Sequence, residues 1–390
     1  GLKIFKTFEK DIIDVNSNDF FTAKNSWIEE KIKVVKDTKE PDIIMDAEIE
    51  VEGGENNKTE IISVNLTILP LINEESDART DNKDNFLGIL LMIEDISSEK
   101  RMKSTMSRYM DPGIADQLLE DGADIMGGLD TTATLLFSDL RSFTNITEAL
   151  GAQGTVKLLN EYFEIMVECI SEQGGMLDKF IGDAIMAAFG LPISHEDDED
   201  RGVKAGINMI SRLWDWNDQR EKDGKPSLDM GLGLNTDKIV AGNIGSQKRM
   251  DYTMIGDGVN LAARLESACK QYNARILISD YTFKKLKGTY RIRYIDDVIV
   301  KGKTEPVGVH EVLDYHNDKT FPNLMDVVNH FNEGRKKYKT GEFKNAIQSF
   351  NECLKANKDD ILSKTYIDRC NQLIQESPKD WKGVWVMKSK

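Results

Sequence analysis

Two aspartates in this sequence stand where a carboxylate is rarely left alone. Asp139 closes the apolar run TATLLFSDL, and Asp183 sits 44 positions further on, at a glycine turn inside the otherwise apolar stretch DKFIGDAIMAAFG. A carboxylate in such surroundings is costly unless something positive meets it. A strand, a helix and a hairpin, in that order, can carry both residues to one edge of a sheet. Their charges would then repel and raise a pKa, unless divalent cations neutralised them. Hard oxygen donors with room for water and phosphate favour Mg²⁺ or Mn²⁺ over zinc. Two such ions about 4 Å apart can activate an attacking oxygen while clamping a triphosphate. Taken singly, Asp139 reads more simply as a capping residue and Asp183 as a turn residue. After Asp139, LRSFTNITEALG runs into a helix, so backbone N–H groups around Phe143 and Thr144 offer a seat for phosphate oxygens. The pattern GxxxxGK[ST] is missing, which disfavours an ordinary P-loop enzyme.

The elements that must position these residues follow from periodicity. TATLLFSDL reads as a buried strand, and GTVKLLNEYFEIMVECISEQGG places Val156, Leu159, Phe163, Met166 and Ile170 on one helical face. MLDKFIGDAIMAAFG is a hairpin turning at Gly182. A helix (DRGVKAGINMISRLWDWNDQREK), a strand (LDMGLGLNTDKIVAGNIG) and a further helix (VNLAARLESACKQY) complete a strand-and-helix sandwich, an α/β domain over 130–316. Trp214 and Trp216 are expected to pack rather than to stack on a nucleotide. HEDDEDR at 195–201 invites a metal reading through His195, but a charge run of this kind is expected to be a solvated loop.

Upstream, residues 26–40 carry apolar side chains at helical spacing, followed by three strand-like runs, DIIMDAEIEV, TEIISVNLTILPLI and NFLGILLMIEDIS. One helix and three antiparallel strands over 1–97 resemble part of a PAS sensor domain; an unrelated α+β module is the alternative. Residues 1–98 contain neither Cys nor His, so nothing there offers a flavin adduct or a haem ligand. Residues 98–129 are expected to form a helical linker. Met102, Met106, Tyr109 and Met110 lie near one stripe, read either as simple packing or as a two-helix seam between protomers. Over 325–378, Gly334, Gly341, Ala346 and Phe350 fall where a tetratricopeptide unit has its small and aromatic positions. A single all-α unit of this kind serves equally as a packing appendage or as a surface for a protein partner.

Four motifs in order, LLFSDLRSFTNI, GGMLDKFIGDAIMAAFG, DYTMIGDGVNLAARLE and VIVKGKTEPVGVHEV, resemble the class III nucleotidyl cyclase catalytic domain across residues 131–315. The resemblance implies a ferredoxin-like, palm-type domain. It implies that Asp139, Asp183 and the backbone carbonyl of Leu140 hold two metal ions. Lys179 and Thr253 would read the base, Asn260 and Arg264 would serve the transition state, and Lys301 would hold the terminal phosphates. Adenine presents an acceptor at N1 and a donor at N6, so donor-only Lys179 suits N1 and the Thr253 hydroxyl can accept from N6. Guanine reverses the pattern. The implied reaction converts ATP to cyclic AMP, with a guanylate cyclase or a catalytically silent scaffold as rivals. The resemblance also implies a homodimer with shared sites. Metal ligands and Lys179 would come from one chain, with Thr253, Asn260 and Arg264 from the other. Rotation of the protomers through the linker would then act as a switch.

Composition narrows the setting. The 390 residues are enough for two or three domains, and 40% hydrophobic residues can build a core in each. A net charge of -16 with a pI near 4.9 disfavours nucleic acid or an anionic membrane as partner. Cys169, Cys269, Cys353 and Cys370 lie far apart with no CxxC, so neither a disulfide framework nor a zinc site is expected. A soluble chain in a reducing cytoplasm fits. The run FLGILLMI is far shorter than the roughly 18 to 20 residues of a membrane helix, and the N-terminus is not signal-like. The chain opens on Gly1 rather than Met, which leaves room for upstream sequence.

Overall fold

The computed structural model describes residues 4, 5, 7, 9–52, 59–72, 86–98, 100, 127–246, 249–299, 306–376, 381 and 383. Most of the expected linker, with Met102, Met106, Tyr109 and Met110, lies outside them, as does Lys301. Two compact units divide the chain, Gly1–Ala115 and Asp116–Lys390.

In the first unit, α1 (Ser17–Phe20) and α2 (Ser26–Thr38) precede β1 (Asp42–Glu52), β2 (Thr59–Ile72) and β3 (Phe86–Asp95), an antiparallel meander in the order β1-β2-β3. Alternation makes the strands: Ile62, Val64, Leu66 and Ile68 of β2 are buried, while the residues between them are not. Ile28 and Val35 of α2, two turns apart, cover that inner face. The sheet is closed by Ile96, whose N–H donates to Ser63 O (2.9 Å), and by the Ser63 N–H, which donates to Ser97 Oγ (3.0 Å).

The second unit begins with β4 (Gly127–Leu140), α3 (Phe143–Glu172), β5 (Met176–Ile181), β6 (Ala184–Phe189), α4 (Asp198–Lys222) and β7 (Met230–Ser246). Their strands lie in the order β7-β4-β6-β5 with antiparallel neighbours, the split βαβ arrangement of ferredoxin-like folds. β8 (Arg249–Ile255), α5 (Asp257–Tyr272), β9 (Ile276–Ser279), α6 (Asp280–Phe283), β10 (Ile292–Ile299) and β11 (Pro306–Val312) extend the sheet through β9, β11 and β10, while β8 pairs with β7. Ile276 and Ile278 enter the core of α3 and α4, whereas Leu277 between them enters the core of α5. The helices therefore cover opposite faces of the sheet.

Three local expectations need correction. On α3 the buried face is centred on Leu158, Tyr162, Met166, Cys169 and Ile170, with Leu159 and Phe163 at its margin and Val156 58% exposed. Adjacent apolar pairs such as Leu158-Leu159 leave spacing unable to choose the centre of the face. The HEDDEDR run is not a solvated loop throughout. Asp200 is buried and accepts from Lys287 N–H (2.9 Å), Gly288 N–H (2.8 Å) and Tyr290 O–H (2.8 Å), and Asp198 is buried against the His195 N–H (2.7 Å). Each acid earns its burial through donors from its surroundings. The third correction concerns Lys179 and is given with the site. Trp214 and Trp216 pack against the core, as expected.

Helices α7 (Leu324–Lys339), α8 (Phe343–Ala356) and α9 (Ile361–Glu376) follow. Gly334 lets α7 meet α8, since a Cβ there would lie 2.7 Å from the Phe350 ring. Phe331, Tyr338 and Tyr366 continue the core that holds Leu261 and Leu265 of α5. The segment thus packs on the core of the second unit. Among the described residues no helix is long and apolar enough to cross a membrane. All four cysteines are buried and unpaired.

Candidate active site

Asp139 stands one residue before the end of β4, and β6 runs beside it with Ser138 opposite Ile185. The β5–β6 turn is only Gly182 and Asp183, because Ile181 already pairs with Ala184. Gly182 adopts φ +66°, a left-handed conformation that glycine takes without a steric penalty. Register and turn together bring Asp183 to Asp139. Burial, and next the Asp183 charge, push the Asp139 carboxyl up to about 6. A third acid joins them from α5: burial, and next Asp139, push Glu266 up to about 7. α5 comes this close because β7 carries Gly233, where a Cβ would lie 2.2 Å from the Glu266 nitrogen.

Acids held together at the cost of mutual repulsion have the donor chemistry of a divalent-cation site. The oxygen-only set of Asp139, Asp183 and the Leu140 carbonyl fits Mg²⁺ or Mn²⁺ rather than zinc. Among the described residues no group of three or more His, Cys, Asp or Glu side chains forms a metal-holding set. A cation here would therefore draw its remaining ligands from water or substrate.

The segment after β4 is held by Arg141, whose guanidinium donates to Asp229 (3.1 Å) and to the Ala274 carbonyl. Ser142 has φ +56° and makes no side-chain cap to α3. Among the described residues the Ser142 side chain thus takes none of the first N–H groups of the helix, which suits a phosphate seat. Phe143 packs its ring against the core, and Thr144 is exposed with its carbonyl accepting from Thr147 Oγ1 (2.8 Å). Their side chains anchor and flank the turn; the backbone is the part suited to phosphate.

Lys179 on β5 donates to Thr253 Oγ1 on β8 at 3.3 Å, within one chain. This corrects the division of the site drawn from sequence, in which Lys179 and Thr253 came from different chains. The physical reason is that four positions of separation from Asp183 say nothing about direction: Lys179 turns to β8, while the turn carries Asp183 to β4. Beneath the pair lies Asp178, its side chain 1% exposed, with Lys179 Nζ 3.7 Å away. Phe180 stacks on Phe163 at 4.0 Å between ring centroids, which ties β5 to α3.

Asn260 and Arg264 are both exposed, one turn apart on α5. Glu266 is two residues beyond Arg264, so about 200° separates their directions around the helix. Because Glu266 lies toward Asp139 and Asp183, Arg264 leaves α5 in a different direction from these three acids. Sequence reasoning missed Glu266 and Asp178. The signal for Asp178 was present, since it directly precedes Lys179 in an apolar strand; nothing in the spacing marked Glu266.

The second unit thus presents paired acids at the hairpin tip of a ferredoxin-like sheet, near the start of α3. Residues 129–315, just under half of the chain, match the family model of the adenylate and guanylate cyclase catalytic domain. It is 37% identical to the terminal-differentiation-specific adenylate cyclase of Dictyostelium discoideum over 62% of this chain and 11% of that one. It is 38% identical to an adenylate cyclase of Anabaena cylindrica over 46% of this chain and 36% of that one. The chain thus spans only a minor part of these relatives. A bacterial light-regulated adenylyl cyclase structure is 25% identical, with TM-score 0.51, over 60% of this chain and 67% of that one.

Proposed function

We propose that this protein is an adenylate cyclase that converts ATP to 3′,5′-cyclic AMP and pyrophosphate. The observation that carries the reading is the meeting of Asp139 and Asp183 in a domain that matches the cyclase family model. The names of its relatives in Dictyostelium and Anabaena favour ATP over GTP. In the reaction the ribose 3′-oxygen bonds to the α-phosphorus, the bond from that phosphorus to the β-phosphate oxygen breaks, and pyrophosphate leaves. Metal ions bound by Asp139, Asp183 and the Leu140 carbonyl would acidify the 3′-hydroxyl and offset phosphate charge. Lys179 donates to adenine N1, and the backbone after Ser142 receives phosphate oxygens. Arg264 stabilises charge growing at the α-phosphoryl group, and Asn260 orients the ribose. Lys301 holds the terminal phosphates.

The opposed directions of Glu266 and Arg264 support a homodimer in which the acids of one chain and Arg264 of the other meet at one triphosphate. Lys179 goes with Thr253 in this arrangement. The first unit serves as a PAS-like sensor acting through the linker, and α7–α9 form a tetratricopeptide-like tail braced on the catalytic domain. Incubating the full chain with ATP or GTP and Mn²⁺ and identifying the products tests the activity; a chain that forms no cyclic AMP overturns it. Mixing Asp139→Ala with Arg264→Ala chains tests the shared site. Recovery of activity in the mixture is expected, and two inactive variants that stay inactive together defeat the dimer.

A further inference from the structure

A hydroxyl can both donate and accept, so Thr253 by itself is a poor judge between adenine and guanine. Its surroundings remove that ambiguity. Thr253 Oγ1 donates its proton to Asp178 Oδ2 (3.2 Å) and accepts from Lys179 Nζ (3.3 Å). The side chain of Asp178 is buried, 1% exposed, and its other oxygen, Oδ1, has no hydrogen-bond partner among the described residues. Lys179, at 3.7 Å, is the cation beside it. A carboxylate so placed has strong reason to keep the Thr253 proton, because a buried acceptor left without donors is penalised.

We infer that Asp178 is a specificity-determining positioning residue: by taking the only proton of Thr253, it leaves that hydroxyl able to offer the base nothing but a lone pair. This rests on the cyclase reading above and extends it to substrate choice. With its proton committed, Thr253 accepts from the adenine N6 amino group, while the protons left on Lys179 serve N1. Guanine placed in the same way sets its O6 lone pairs against the Thr253 lone pair and its N1–H against the Lys179 ammonium. Discrimination then comes from unmatched polar groups, which reject a wrong base more strongly than shape does. Asp178 touches neither base in this scheme; it acts through Thr253.

The test compares kcat/KM for ATP and for GTP, with Mn²⁺, in full-length chains whose folding is checked by circular dichroism. Asp178→Asn keeps the shape, but its amide can present N–H as well as C=O, so Thr253 is freed to donate. The ATP-to-GTP ratio is expected to fall about tenfold or more, a change of about 1.4 kcal/mol in discrimination. Thr253→Val should lower the ratio similarly, and adding Asp178→Asn to it should lower the ratio no further, as two residues acting through one hydroxyl require. Wild-type turnover of ATP with an unchanged ratio in a folded Asp178→Asn chain overturns the inference alone. So does a further loss in the double variant. A wild-type chain that converts neither nucleotide defeats the cyclase reading, and base selection falls with it. If Asp178→Asn fails to fold, the ratio in Thr253→Val decides, and no change there is equally fatal.

Discussion

Two groups of acids in the second unit, one half-buried at a hairpin tip and one buried on β10 and β11, are treated in opposite ways. At the tip of the β5–β6 hairpin, Asp139 lies beside Asp183, and burial with neighbouring acid charge raises the carboxyls of Asp139 and Glu266. On β10 and β11 every acid has an arginine. Asp296 faces Arg369 at 2.6 Å and Arg335 at 3.4 Å, and Arg293 bridges Glu311 (2.7 Å) and Asp360 (2.8 Å). Arg335 and Arg369 lie on α7 and α9, and Asp360 directly precedes α9. The tail is therefore fastened to the sheet by charges that the chain supplies to itself. The difference lies in what meets each acid: those on β10 and β11 face arginines, whereas the charge that acts most on Asp139 is that of another acid, Asp183.

Breaking each cluster should have opposite consequences. Asp183→Ala is expected to lower turnover by roughly 10³-fold or more, about 4 kcal/mol of transition-state stabilisation. Its metal-free melting temperature should hold or rise, since repulsion at Asp139 is relieved. Steady-state assay and thermal melting with and without Mn²⁺ check both halves, and wild-type turnover in this variant would refute the metal assignment. Asp296→Ala, by contrast, strands two guanidinium groups and should destabilise the second unit by about 3–5 kcal/mol, read from the urea midpoint.

A milder effect is expected at His316. Burial, and next the charges of Arg275, Arg293 and Arg291, hold its imidazole down to about 3 from the ordinary 6.5. The unfolded chain takes up a proton near pH 6.5 that the folded chain refuses until about pH 3, so stability should decline as pH falls through that window. Melting temperature against pH should be flatter in His316→Asn. Smallest of all is the surface cluster of Arg212 with Glu168 (2.8 Å) and Glu172 (2.7 Å), all partly exposed. Arg212→Ala should cost less than about 1 kcal/mol, and a larger loss by urea titration would undo the contrast between screened and buried pairs.

Much of this was legible in the chain. Period-two runs and helical stripes placed the first-unit meander and the elements from β4 to β7 with α5, because burial of one face is a local rule that each segment obeys by itself, while β8, β9, β10 and β11 went unread. Gly182 and Asp183 announced their turn, and the acids at 139 and 183 announced a need for positive charge. What stayed hidden was direction. Val156 looked as good a core residue as Leu158, and the buried roles of Asp198 and Asp200 depended on donors from residues 195 and 287–290, which no charge run can reveal.

The amino-acid order by itself determined much of the strand and helix pattern, the hairpin tip and the chemical types at the site, since all of these rest on neighbours along the chain. Only the tertiary structure decided that Lys179 meets Thr253 over a buried Asp178, that Glu266 lies toward the acids while Arg264 leaves α5 in a different direction, and that the last three helices are fastened to β10 and β11. Strand order separates β5 from β8 by β6, β4 and β7. Such meetings depend on how the whole sheet is assembled, and hydrogen bonds and charge pairs across it form only between groups that assembly brings within reach.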